Sequence, residues 1–304
     1  MDVDSVAIII VNYNGFRDTI ECVKSIKKEC SIENEIIIID NNSKNEEKEL
    51  LLKNNEMYDL ILSEKNLGFS LANNHGIEYA LKKGYKNILL LNNDTIITKG
   101  SIENMIAILK ENKDIGMVSC STLYFDKKDT IWFDEGYIDW NKYLAKHKNI
   151  KKLYKYSEDV VDVGFISGCC MLIRNDVFEK VGLLPTEYFM YFEDVDYCVK
   201  VKEMGYRIVV CKRSIIYHKV SASSGGEDST FTIEWCNRNR IIFMKKYRYK
   251  SKSKLSFLYS IAFFSIGRIV RIIQFMLNGD FKRAKSIIKG CFRGLKDNKN
   301  YYME

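Results

Sequence analysis

Short apolar runs recur through the first 120 residues, at 6–11, 35–39, 59–62, 87–91 and 115–119, with amphipathic stretches between them. Short strands that are apolar throughout have both faces buried, and their alternation with helical segments is the signature of βαβ units and a parallel sheet. Crossovers between parallel strands are right-handed, so such strands all end on one edge. The segments Asn12-Tyr13-Asn14, Asp40-Asn41-Asn42-Ser43 and Asn92-Asn93-Asp94 follow three of the runs and are expected to gather on one rim. Ligands of open α/β sheets bind at that rim, where a carboxylate such as Asp94 can hold a divalent cation against a diphosphate. Ser43, with Glu46 three residues later, reads as a capping box, and Ser101 as a second helix cap.

The chain has 304 residues, 46% of them hydrophobic, enough for one large core or two modest ones. Its nine cysteines are an odd number at irregular spacings without a CxxC pair, which excludes a zinc ribbon or redox dithiol and points to buried free thiols in a reducing compartment. The acidic start, Met1-Asp2-Val3-Asp4-Ser5, leads straight into the first apolar run and has no basic n-region, so a cytoplasmic protein is expected. The net charge of +7 is uneven. From Lys245 onward, 15 Lys and Arg face three acids, and the remainder carries 32 basic against 37 acidic residues. A nucleic-acid binder would spread positive charge over its folded body, so no nucleic-acid partner is expected.

Strand-end Asn and Asp residues also serve as ordinary turns and caps, and only their convergence favours a site. Tyr13 can stack on a nucleobase and Asp40 can accept from its imide N–H. The segment from Asn66 through Gly68 to Asn74 resembles a glycine-softened loop entering a helix, where a phosphate can approach closely. It is neither a Walker sequence nor a dinucleotide fingerprint. Residues 121–160 look like a variable, partly exposed insertion. Glu193-Asp194-Val195-Asp196 follows an aromatic run, and partial desolvation there would move a carboxylate toward the pKa of a general base. The ordinary reading is a helix N-terminus whose acids offset the dipole, and both can hold together. His218 ends another β-like run and, near Asp94, would complete a cation site.

Seven blocks in order resemble family 2 glycosyltransferases of GT-A fold, in particular the rhamnosyl- and galactofuranosyltransferase branch. They are Val11-Asn12-Tyr13-Asn14, Asp40-Asn41-Asn42-Ser43, Asn66-Leu67-Gly68-Phe69, Leu91-Asn92-Asn93-Asp94-Thr95, the segment Gly168 to Arg174, Glu193-Asp194-Val195-Asp196 and Tyr217-His218. The resemblance implies an α/β fold with a Rossmann-like mixed central sheet and flanking helices. It further implies a nucleotide-sugar site of Asn12, Tyr13, Asn14, Asp40, Asn42, Asn66, Gly68, Asn74, Asn93 and Gly168. Asp94 and His218 would hold Mg2+ or Mn2+, Asp194 would be the catalytic base, and Glu193, Asp196 and Arg238 are candidates for acceptor or diphosphate contacts. Where the family has an Asp-x-Asp motif, this chain has Asn92 and Asn93 before a single Asp. The implied function is inverting, metal-dependent transfer from a nucleoside diphosphate sugar, dTDP-rhamnose or a UDP-sugar, to a hydroxyl of a glycan or lipid-linked glycan in cell-surface polysaccharide assembly. A sugar nucleotidyltransferase, or an inactive nucleotide-sugar-binding or scaffold protein, is the alternative.

The catalytic domain is expected to span 1–245, followed by a basic, amphipathic helical extension over 246–304. Lys245 to Lys254 carries six cations and no acid, directly before the apolar stretch 255–277. The uncharged part ends at Gly267, short of a hydrocarbon core of roughly 30 Å, and extending it would place Arg268 and Arg271 in lipid, so a transmembrane helix is the second reading. At 100° per residue, Ser256, Ser260, Gly267, Arg271, Gln274 and Asn278 share one stripe, opposite Leu258, Ile261, Ile269, Ile272, Ile273 and Met276. This pattern is that of a helix lying in the plane of an anionic membrane surface, on the inner face of the cell membrane. The other reading is a helix that packs on the catalytic domain or forms a homodimer interface.

Overall fold

The computed structural model describes residues 5–148, 159–220 and 228–297. From the N-terminus the chain runs through β1 (Val6–Asn12), α1 (Phe16–Glu29), β2 (Asn34–Asp40), α2 (Asn45–Lys53), β3 (Asp59–Leu62), α3 (Gly68–Lys82), β4 (Asn87–Asn92), β5 (Thr95–Ile97), α4 (Ser101–Glu111) and β6 (Ile115–Tyr124). It continues through β7 (Ile131–Phe133), β8 (Gly136–Asp139), β9 (Leu144–His147), β10 (Val160–Asp162), β11 (Cys170–Arg174), α5 (Asn175–Val181), α6 (Glu193–Glu203) and β12 (Arg207–His218). Helices α7 (Thr230–Lys246), α8 (Lys254–Leu277) and α9 (Phe281–Lys296) follow.

The central sheet has the order β10-β12-β6-β11-β4-β1-β2-β3, with β5 added on β12 and β7 on β6. Side chains alternate across it: Ala7, Ile9, Ile37, Ile39, Ile88 and Leu90 enter one core, while Val6, Ile8, Ile10, Ile36, Ile38, Leu89 and Leu91 enter the other. Helices cover both faces, which is why these strands read as continuous apolar runs. Strands β1 to β4 are parallel, and β11 lies antiparallel between β4 and β6, with Cys170 opposite Leu91. The C-terminal ends of β1, β2 and β4 therefore meet the start of β11 on one rim. The sheet is mixed, as the resemblance implied.

Both expected caps differ from what forms. Ser43 Oγ accepts from Asn14 N (2.9 Å) and Asn12 Nδ2 (3.1 Å), and the cap position of α2 falls one residue later, on Lys44, without a side-chain cap. Gly100, at φ 77°, caps α4, and Ser101 Oγ donates to Thr98 O. In both places a nearer tertiary or turn partner takes the hydroxyl. The segment 121–148 holds three short strands rather than a loose insertion, while 149–158 lies outside the described residues. All nine cysteines are free.

The extension folds onto the body through α9. An added Cβ at Gly290 would stand 2.3 Å from Glu234 O, and one at Gly294 would stand 2.7 Å from Arg238 O, so two glycines one turn apart let α9 lie directly on the α7 backbone. Only the first part of the expected polar stripe of α8 turns inward: Ser260 is fully buried, donates to Asn141 O at 2.7 Å, and shares that face with Phe264 and Phe275, while Arg271, Gln274 and Asn278 are exposed. Leu258, Ile261, Ile269, Ile273 and Met276 face outward and are 40–59% exposed, while Ile272 packs against Phe275 and Ile287. By length and composition α8 passes as a membrane-crossing helix. Three of the six cations at 245–254 serve the fold instead of facing out. Lys245 binds Gly294 O and Leu295 O, Lys246 pairs with Glu187 and Asp196, and Lys250 pairs with Glu203.

Candidate functional site

A cavity of about 830 Å³ opens on the rim. Its lining includes Tyr13, Asn66, Gly68, Asn93, Asp94, Gly168, Glu193, Asp194 and His218, nine of the expected site residues.

Strand pairing brings the cation candidates together. Strand β5 runs antiparallel to the end of β12, setting Thr95 opposite His218. Lys219 N donates to Asp94 O at 2.9 Å, and His218 Nε2 lies 3.0 Å from Asp94 Oδ1 with both side chains nearly buried. Trp132 packs edge-on against the imidazole at 4.4 Å between centroids, and His218 Nδ1 has no hydrogen-bond partner among the described residues. Asp194 lines the same cavity from the first turn of α6. Its Oδ2 accepts from Gly168 N (3.0 Å) and its Oδ1 from Val195 N (2.8 Å). Burial pushes the Asp194 carboxyl up, against the lowering effect of the backbone bonds and of His147. Glu193 is pushed well up, by burial first and by the Asp194 charge second, and its Oε2 is buried without a hydrogen-bond partner among the described residues.

Other expected residues scaffold the rim. Asp40 is fully buried and accepts from Asn12 Nδ2 (3.0 Å) and Ser43 N (3.1 Å), while Asn12 Oδ1 accepts from Thr19 Oγ1. Asn14 and Asn42 sit at positive φ and are exposed, with Asn14 Oδ1 accepting from Lys44 N and Asn42 Oδ1 from Lys48 Nζ. Asn74 exchanges hydrogen bonds with Leu184 N and O beneath α3. Asp196 and Arg238 do not line the cavity. Asp196 is fully buried among Tyr188, Lys246 and Tyr247, and Arg238 is fully buried against Asp297 and Glu187 O. Gly68, at φ 73°, is required by chain approach rather than by a phosphate, because an added Cβ would stand 2.2 Å from Phe189 O.

Several lining residues were not singled out from sequence. Asn41 Nδ2 donates to Asn66 Oδ1 (3.0 Å) and Gly68 O (3.1 Å), and its Oδ1 accepts from Leu67 N, so one side chain shapes the loop into α3. It lay inside a flagged cluster, but nothing local separates it from Asn42. Trp132, His147, Phe189, Phe231 and Thr232 also line the cavity, from segments without periodicity. The lining contains no Lys or Arg among the described residues.

The protein-family model of "Glycosyl transferase family 2" matches residues 7–182, more than half of the chain. The chain is 25% identical over 255 residues to the low-salt glycan biosynthesis hexosyltransferase Agl10 of Haloferax volcanii, covering 84% of this chain and 80% of that one. It superposes on GalNAc-T7, solved with UDP, GalNAc and Mn2+, with a TM-score of 0.63 at 17% identity, over 79% of this chain and 47% of the other. It superposes on the mannosyltransferase PcManGT of Pyrobaculum calidifontis, solved with GDP-Man and Mn2+, with a TM-score of 0.57 at 12% identity, over 97% and 88% of the two chains. These likenesses show the GT-A fold, and on the family match the chain is a glycosyltransferase belonging to glycosyl transferase family 2.

Proposed function

We propose that the protein transfers a sugar, with inversion, from a nucleoside diphosphate sugar to a hydroxyl of a glycan or lipid-linked glycan in cell-surface polysaccharide assembly, with a divalent cation as cofactor. The observation that carries this reading is the charge of the cavity: Asp94 and Asp194 line it, and among the described residues no Lys or Arg does. A diphosphate entering such a wall meets repulsion unless a cation comes with it. Asp94 and His218 would hold Mg2+ or Mn2+. A carboxylate and an imidazole on one side, with diphosphate oxygens supplying further ligands, fit a hard cation that keeps few protein ligands. When bound, the cation neutralises charge growing on the leaving diphosphate.

Asp194 then serves as base. It takes the proton of the acceptor hydroxyl as the oxygen bonds to C1 and the bond from C1 to the diphosphate breaks, a single displacement that inverts the anomeric centre. A carboxyl raised by burial is matched to that task. Tyr13, 42% exposed at the rim, would stack on the base, and Asn93 would face the ribose or diphosphate. The two neighbours solved with UDP or GDP-Man and Mn2+ support donor class and metal, and the haloarchaeal relative supports a glycan acceptor. The outward apolar face of α8 supports residence on the cytoplasmic face of a membrane, where a lipid-linked acceptor would be held in reach.

The test is nucleoside diphosphate release from UDP-glucose, UDP-galactofuranose, dTDP-rhamnose and GDP-mannose with MgCl2 or MnCl2, alongside thermal stabilisation by each donor. Metal-dependent release from one donor is expected. Release from none would overturn the transferase reading, in favour of the inactive nucleotide-sugar-binding protein if a donor still stabilises the chain and of the scaffold if none does.

A further inference from the structure

The acids of the cavity wall are reached through an unusual stretch of backbone. Tyr191 and Phe192, immediately before Glu193, both lie in the left-handed region, at φ 73° and 74°. Bulky residues rarely adopt it, and Phe192 is also the residue from which α6 starts. Such a turn persists only where its surroundings over-determine it.

The surroundings do so through carbonyls. Asn239, fully buried on α7, donates from one amide nitrogen to Met190 O and to Tyr191 O, both at 2.8 Å. Its Oδ1 accepts from Arg238 Nη1 at 2.6 Å, which also donates to Glu187 O at 2.9 Å. Arg238 pairs in turn with Asp297, just beyond α9. From the other side Phe69 N donates to Phe189 O at 2.7 Å. The carbonyls of residues 187, 189, 190 and 191 are thus all held, three of them by Arg238 and Asn239. Only an amide offers two donors and an acceptor from one short side chain.

We propose that Asn239 is a positioning residue: by holding the Met190 and Tyr191 carbonyls it fixes the first turn of α6 and holds Asp194 at the cavity wall, and Asp297 of the C-terminal extension completes the clamp through Arg238. The role of the clamp in catalysis rests on the reading of Asp194 as base. The extension is then part of the catalytic support and not a separable anchor, in keeping with the direct contact of α9 on α7.

The test uses the full chain and the nucleotide sugar of the panel above that gives fastest nucleoside diphosphate release with MnCl2. Asn239→Asp and Asn239→Ala are each expected to lower kcat about 10²-fold, the scale of a small misplacement of a reacting group, with donor KM held within roughly threefold. Asp297→Ala, at the outer end of the chain of contacts, shows a smaller loss of the same kind. Combined with Asp194→Asn, Asn239→Ala adds little further loss, because both act through one group. Hydrogen exchange of amides 192–196 is faster in the Asn239 variants, with the central sheet unchanged. Wild-type kcat in Asn239→Ala, full additivity with Asp194→Asn, or unchanged exchange would overturn the clamp. Near wild-type turnover in Asp194→Asn alone would sink the base reading, and the exchange data would still decide whether Asn239 holds the turn. If Asn239→Asp does not fold, Asn239→Ala and Asp297→Ala carry the test.

Discussion

Asp94 Oδ1 and His218 Nε2 stand 3.0 Å apart at the wall of the cavity, held there by two strands from opposite halves of the chain. The three residues of β5 turn the chain just past Asp94 so that it pairs with the end of β12. The backbones that carry them are fixed by the β5–β12 pairing and by the bond from Lys219 N to Asp94 O, so both side chains start from neighbouring, tied positions. A pre-organised pair of this kind loses little on binding a cation.

Removing the cation or either ligand should therefore abolish the same property. Wild-type protein treated with EDTA is expected to lose donor turnover and regain it with MnCl2. Asp94→Asn and His218→Ala are each expected to lower kcat/KM roughly 10²–10³-fold, the scale of losing one charge-stabilising group. Both should also lose the thermal stabilisation that donor gives in the presence of Mn2+. A variant at either position with wild-type metal dependence would reject the pair as the site.

Asp194→Asn should keep donor binding and lose turnover by roughly 10²–10⁴-fold. The pH profile gives a second check. Burial raises the Asp194 carboxyl, and the base works only when ionised. Wild-type kcat/KM should thus fall on the acidic side at a pH above the ordinary aspartate value of about 3.9. An acidic limb at or below that value would be incompatible with Asp194 as the group observed.

Glu193 gives a stability prediction of definite sign. Its folded pKa is raised, so the group adds stability while protonated in the native state, at pH below the unfolded value of about 4.3, and that stability is lost as pH rises through the folded pKa. Glu193→Gln keeps the shape without the titration. Its melting temperature should exceed that of wild type at pH 8 and approach it near pH 4. A wild-type protein that gained more stability than Glu193→Gln between those pH values would contradict the assignment.

The order of strands and the rim were readable because burial on both faces writes each strand as an unbroken apolar run, and right-handed crossover fixes where its end lies. Asp94, Asp194 and His218 were readable because each ends such a run or opens a helix with carboxylates. Asp40 and Asn74 were harder, since a strand-end Asn or Asp looks the same in sequence whether it faces a ligand or ties two loops together. Only the bonds from Asn12 and Ser43 to Asp40, and from Asn74 to Leu184, separate the cases. Ser43 failed as a cap for the same reason, its hydroxyl being claimed by residues about 30 positions away. Strand β5 is three residues long and carries no period to detect.

Docking of α9 on α7 depends on space that only glycine leaves. Gly290→Ala should force the helices apart, since its Cβ would meet Glu234 O at 2.3 Å, and overpacking of this kind costs about 1–3 kcal/mol. Gly267→Ala, with nothing within 4 Å, is the matched control and should leave stability unchanged or slightly raised. Equal melting temperatures for the two variants would show that the close approach does not bear load.

The outward face of α8 is the remaining place where sequence and structure meet in a measurable way. Leu258, Ile269 and Leu277 are 59%, 56% and 82% exposed, and Phe281, Ile288 and Phe292 of α9 are exposed as well. Since Lys245, Lys246 and Lys250 are engaged within the fold, the apolar face and not the cation cluster should dominate attachment to a bilayer. Each cation left near an anionic surface adds about 1 kcal/mol, whereas burying a large apolar side chain adds about 1.5–3 kcal/mol. Co-sedimentation with phosphatidylglycerol vesicles should thus be lost in Leu258→Glu/Ile269→Glu, weakened modestly in Lys252→Gln/Lys254→Gln, and only partly reversed by 0.5 M NaCl in wild type, where screening shortens to a few ångströms. Complete release by salt would assign the attachment to charge alone. A vesicle-free dimer that Ile269→Glu dissociates would assign the face to a second copy of the chain.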